Sequence, residues 1–156
     1  MEVLKAPTRW GNEHLNKKKV FLAGSIEMGK AEDWQETVTQ ALSDLDIVIL
    51  NPRRDDWDVS AEQSIDNEYF REQVEWELDA QDQCDLIVMY FDPNTKSPIT
   101  LLELGMFLQT GRLLVCCPQG YWRRGNVEIV CERDKVPMFW EMEEFILAIR
   151  RELDSE

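Results

Sequence analysis

The sequence predicts an α/β domain, a doubly wound parallel sheet of about five strands flanked by helices. Three observations predict it. Short apolar runs alternate with helix-period segments along the chain, which is the pattern of βαβ units. Residues 113–117 are apolar throughout, as a strand covered on both faces must be. A length of 156 residues, 44% apolar and 31% charged, suits one globular domain with a core of its own.

Residues 1–18 carry Lys5, Arg9, Lys17 and Lys18 against Glu2 and Glu13 and show no apolar period, so they read as a solvated polar lead-in to a domain spanning 19–156. The first strand is 20–23, ending at Gly24-Ser25. In the next helix Trp34, Val38, Ala41, Leu42 and Leu45 recur at helical spacing. A second strand, 47–50, stops at Asn51-Pro52. Residues 53–64 are polar and aromatic without a period, a long loop of the kind that often carries function. A second helix over about 67–84 places Phe70, Val74 and Leu78 inward, and 86–90 is the third strand. Ser97-Pro98 reads as an N-cap and first-turn proline, and Gly111 closes that helix. The fourth strand is 113–117. Turn-rich QGYWRRGN (119–126) leads to a short helix at 127–130, a short edge strand at 136–139 and an amphipathic helix at 142–153. The stripes Trp34, Val38, Leu42 and Phe145, Ile146, Ile149 are assigned to the core.

Composition excludes several functions. Seventeen Lys and Arg against thirty-one Asp and Glu give a net charge of −14, which repels nucleic acid polymers and anionic membranes. No window approaches the roughly 20 apolar residues of a membrane span, and no secretory signal opens the chain, so a cytoplasmic protein is expected. Cys84, Cys116, Cys117 and Cys131 form no CxxC pair and are expected as reduced thiols. The only histidine, His14, lies in the lead-in, which leaves zinc, Ser-His-Asp and Cys-His chemistry without an imidazole. GxSxG, GxxxxGK[ST] and GxGxxG are all missing. Any nucleophile, acid or base is then a carboxylate.

Glu103, within ITLLELGMF (99–107), has apolar neighbours on every side and no cation at helical spacing. An unsatisfied carboxylate there costs on the order of several kcal/mol. Either it crosses to an arginine elsewhere or it is held for chemistry, with Gly105 admitting close approach of a ligand. Glu77 likewise has no cation among Gln73, Val74, Ala80 and Gln81; it is either an exposed acid in EWELDAQDQCD (75–85) or the partner of Glu103 across a cleft. Paired carboxylates in a cleft suit glycosyl chemistry, with Glu103 ionised as nucleophile and Glu77 holding a proton as general acid.

Taken together, FLAGSI (21–26), NPRRDDWD (51–58), VEWEL (74–78), SPITLLELG (97–105) and CPQGYWRRGNVEIVC (117–131) resemble the nucleoside 2-deoxyribosyltransferase-like family over most of residues 19–131. The resemblance implies a flavodoxin-like fold, cleavage of the bond between deoxyribose and base, and a covalent deoxyribosyl–glutamate intermediate. It implies Glu103 as the nucleophile and Glu77 as the acid that protonates the base. It puts Asp56 and Trp57 at the base, Gly24 and Ser25 on the pocket floor, and Asn126 in the site of a neighbouring subunit at the sugar 5′ end. A homo-oligomer is therefore implied, acting on a deoxynucleoside or deoxynucleotide and a free nucleobase, with no metal and no cofactor.

Three departures narrow the transfer. The better-known bacterial branch orients the nucleophile with a tyrosine on the first strand, where this chain has Val20 or Phe21, leaving Ser25 as the candidate positioner. It also has an aspartate for the sugar hydroxyls where Ser97 stands, and a glutamine near Asp56. Arg53-Arg54 and Arg123-Arg124 either accept a 5′-phosphate bidentately or neutralise Asp55, Asp56 and Asp58. Water in place of a second base would make the enzyme a nucleoside or nucleoside 5′-monophosphate hydrolase. A pocket without turnover would make it a nucleotide-binding module, and a flavin-binding domain is the remaining alternative.

Overall fold

A computed structural model describes residues 1–155. Its strands are β1 Glu2–Lys5, β2 Lys19–Gly24, β3 Val48–Asn51, β4 Leu86–Tyr90, β5 Leu113–Cys116 and β6 Met138–Phe139. Its helices are α1 Trp34–Ala41, α2 Glu68–Gln83, α3 Pro98–Phe107, α4 Arg124–Asp134 and α5 Met142–Asp154. One six-stranded sheet runs in the order β1-β3-β2-β4-β5-β6, and every neighbouring pair is parallel. This is a flavodoxin-like α/β fold with six strands, not five.

The extra strand lies in the segment read as a solvated lead-in, and that reading is corrected. β1 pairs with β3 from Glu2↔Val48 to Lys5↔Asn51. Leu4 and Ala6 are buried in the core, the Trp76 indole donates to the Thr8 carbonyl at 2.9 Å, and His14 is buried, its Nε2 3.0 Å from Glu2 Oε2. The strand is too short and too charged to show an apolar alternation; its partner supplies the register.

Strand alternation sends side chains to two cores. Phe21 and Ala23 of β2 pack with Trp76, Ala80, Leu104, Phe107 and Val127 of α2, α3 and α4, whereas Val20 and Leu22 pack with Trp34, Val38, Phe145 and Ile149 of α1 and α5. The inward face of α2 differs from the expected one. Gln73, Trp76, Ala80 and Gln81 are buried, while Leu78 is exposed. The bulk of Trp76 against Trp10 and Phe21 sets the rotation, which brings the glutamines inside. α4 begins at Arg124, earlier than the turn residues Arg124, Gly125 and Asn126 suggested.

The chain leaves β2 toward β3 and returns across it to β4, so the strand order reverses between β2 and β4. Their carboxyl ends, Gly24 and Tyr90, open the crevice where such sheets bind ligands. Gly24 has φ +143°, and a Cβ there would stand 2.3 Å from the Tyr90 carbonyl oxygen, so only glycine lets these strand ends close. Because Leu4 is enclosed, Leu4→Ala is expected to lower unfolding free energy by about 2–3 kcal/mol in urea melts. A change within roughly 0.5 kcal/mol would return residues 1–6 to a solvated role.

Candidate active site

α2 and α3 pack on the same side of the sheet and bring Glu77 and Glu103 together. Asn67 caps α2, its side chain accepting from the Phe70 amide at 3.0 Å, and the helix then carries Gln73, Glu77 and Gln81 at four-residue spacing along one face. Glu103 is buried on α3, 8% exposed. The Gln81 amide donates to Glu103 Oε1 at 2.6 Å, and the Gln73 amide donates to Glu77 Oε1 at 2.7 Å and to the Pro52 carbonyl at 3.1 Å. Glu77 is half-buried. Among the described residues neither carboxylate pairs with a Lys, Arg or His. The crossing to an arginine left open for Glu103 is not made.

Burial dominates the titration of both groups. It pushes Glu77 up to about 7 against the Gln73 hydrogen bond, and Glu103 up to about 8, with repulsion from Glu77 adding to burial and the Gln81 hydrogen bond opposing it. Two acids this close titrate as a pair, and near neutral pH the pair holds one proton between them.

Each raised affinity means that the folded chain binds more protons than the unfolded one between about 4.5 and about 8, so stability present at low pH is lost as pH rises through that window. Glu103→Gln removes the ionisation. Its thermal midpoint is expected to exceed that of the wild type by a few degrees near pH 8, with the gap closing near pH 5, in melts monitored by circular dichroism.

Gly24 and Ser25 sit where β2 meets the crevice, but Ser25 is enclosed and its hydroxyl is spent on the protein. Ser25 Oγ accepts from the Asp92 amide at 2.8 Å and meets the hydroxyls of Thr95, at 2.9 Å, and Ser97. No hydrogen bond joins it to Glu103. Ser97 precedes α3 with φ +47° and does not cap it; Glu27 Oε1 accepts from the Lys96 and Ser97 amides instead.

In the loop after β3, Arg54 Nε donates to Asp56 Oδ1 at 2.9 Å and holds that carboxyl below the usual range, while the guanidinium covers the Tyr69 ring. Trp57 stacks on the same ring at 4.9 Å. Arg53 donates to the Ala31 and Glu32 carbonyls, each at 3.0 Å. Asn126 is exposed in the first turn of α4, beside a hollow of about 180 Å³ lined by Leu101, Leu104, Gly105 and Leu108. At 100° per residue Leu101, Gly105 and Leu108 lie on the side of α3 away from Glu103, and no hydrogen bond among the described residues joins Asn126 to either carboxylate.

Gln81, Gln73, Thr95, Glu27 and Tyr69 escaped the sequence reading. The recurrence of Gln at four residues before and after Glu77 was the available signal, since an amide at that spacing reaches a carboxylate on the same helix face. No three His, Cys, Asp or Glu side chains converge as a metal site among the described residues, and no helix there is long and apolar enough to cross a membrane.

No curated protein matches the chain in sequence. Residues 17–121 match the family described as Nucleoside 2-deoxyribosyltransferase like, a span that runs from the start of β2 through α2 and α3 and takes in both carboxylates. The chain belongs to the nucleoside 2-deoxyribosyltransferase-like family.

Proposed function

We propose that the protein transfers a 2-deoxyribosyl group between nucleobases through a covalent bond from the sugar to Glu103. Glu103 attacks the anomeric carbon, the bond from that carbon to the base nitrogen breaks, and the departing electron pair takes the proton from Glu77. A second base then attacks the glycosyl–Glu103 ester and returns a proton to Glu77. The observation that carries this reading is the pair of carboxyls on α2 and α3, each hydrogen-bonded by a glutamine amide and paired with no cation among the described residues.

The reaction needs that proton on Glu77, and a base nitrogen at Glu77 favours this form by accepting its hydrogen bond. Trp57 on Tyr69 offers a stacking surface for the base, beside Asp56; Gly24 and Ser25 shape the crevice floor, and Ser97 borders it. α3 exposes Ile99, Leu102 and Met106, a stripe without charge in an acidic chain, and Glu103 lies at its border. That stripe supports self-association, in which a second copy covers the carboxylates and Asn126 is offered to the neighbouring site.

The arginines support an unphosphorylated nucleoside as substrate. Arg53 serves main-chain carbonyls, Arg54 holds Asp56, Arg123 lies over Trp122 at 4.3 Å, and Arg124 pairs with Glu128 at 2.9 Å. A deoxynucleoside is expected to react at least as fast as its 5′-monophosphate; a strong preference for the phosphate would overturn this.

Incubation with deoxyadenosine and free cytosine is expected to yield deoxycytidine, and intact-mass analysis a deoxyribosyl adduct on the peptide containing Glu103. Free deoxyribose without deoxycytidine would instead mean hydrolysis. Glu103→Ala is expected to lose roughly a thousandfold or more in kcat. Because the working form holds one proton, kcat is expected to trace a bell with its maximum between about 7 and about 8. A profile that lacks a fall on either side of that range would remove the pair from the mechanism.

A further inference from the structure

We propose that Gln81 is the positioning residue of Glu103: its amide nitrogen holds Oε1 of the ionised carboxylate and leaves Oε2 as the oxygen that bonds to the sugar. The inference rests on the glycosyl-transfer reading for the identity of the attacking group. The hold itself rests on geometry. The contact is 2.6 Å long, Gln81 is fully enclosed, and it is the only hydrogen-bond donor to Glu103 among the described residues. Oε2 has no partner there and is not among the atoms sealed from solvent.

The other end of the same amide is informative. Gln81 Oε1 is buried and has no hydrogen-bond partner. Leaving a buried acceptor unpaired is costly, and native proteins accept this seldom. The side chain is thus placed for its donor, not for full satisfaction. Its main chain is fixed independently, with the carbonyl accepting from the Arg112 guanidinium at 3.1 Å and from Cys84 Sγ at 3.4 Å. An N–H donor binds a charged carboxylate oxygen more strongly than the carbonyl oxygen of the neutral acid, so the observed orientation favours the charged form.

The groups around Glu103 leave this task to Gln81. From α2 the only other facing group is Glu77, which is itself held by Gln73. β2 presents Phe21 and Ala23 on that side, α4 presents Val127, and Arg112 is occupied by the carbonyls of Gln81 and Cys84.

Gln81→Met keeps length and volume and removes the donor. Losing a donor to the charged form raises proton affinity, so the Glu103 midpoint in a carboxylate carbon-13 NMR titration is expected to move up by about one unit. The acid limb of the kcat–pH profile should move up with it. At neutral pH kcat should fall by about tenfold, with KM changed by less than about threefold. If Gln81→Met does not fold, Gln81→Asn, whose amide is too short to reach, reads the same midpoint. A purely packing role for Gln81 predicts loss of thermal stability with an unmoved midpoint and profile, and that result overturns the proposal. A wild-type protein that forms no adduct fails the transfer reading instead; the midpoint comparison judges the hold in either case.

Discussion

Two carboxyl groups crowd one desolvated place between α2 and α3, and the surrounding architecture is arranged around that constraint. A lone buried carboxylate is ordinarily rescued by a cation, which would lower its proton affinity and keep it ionised. Here the rescuers are glutamine amides, Gln73 on Glu77 and Gln81 on Glu103. An amide satisfies an oxygen without contributing charge. The pair therefore keeps a raised proton affinity and shares a proton at the pH where a cation-paired site would hold none, and the cost appears as stability given up with rising pH.

The fold supplies the geometry for this. Both helices follow strands of one parallel sheet and pack on the same face, so their mid-helix residues meet without a long loop between them. The strand ends above are locked by the Gly24 approach to Tyr90 and by the hydroxyls of Ser25, Thr95 and Ser97, which join β2 to the start of α3. Those hydroxyls act on the site through the backbone: they fix where α3 begins, and that fixes where Glu103 stands.

Much of this was legible in the sequence. Buried parallel strands are short apolar runs, so β2 through β5 and their helices stood out, and Glu103 stood out because a carboxylate among leucines violates the pattern of its own helix. What escaped did so for physical reasons. β1 is recognisable only through its partner β3, since an edge strand with Glu2 and Lys5 has no apolar signature. The buried face of α2 was misplaced because glutamines score as surface residues, while here they are inside to serve carboxylates on two helices. The coupling of Glu103 to Glu77 acts across space between two helices, which no spacing along one chain encodes.

The apolar character of α3 follows from the same constraint. A surface helix normally turns a polar face to water, yet α3 exposes Ile99, Leu102 and Met106 and has Glu103 as its only charge. Placing polar or charged residues at those positions would bring water and counter-charge to the rim of the Glu77–Glu103 pocket and draw both carboxyls back toward ordinary acidity. In the proposed assembly a second copy covers the stripe, so the surface that is costly to expose alone becomes the roof that keeps the pair dry. In that assembly, burial of the carboxyl pair and association of the chains would both follow from one helix whose only charge is Glu103.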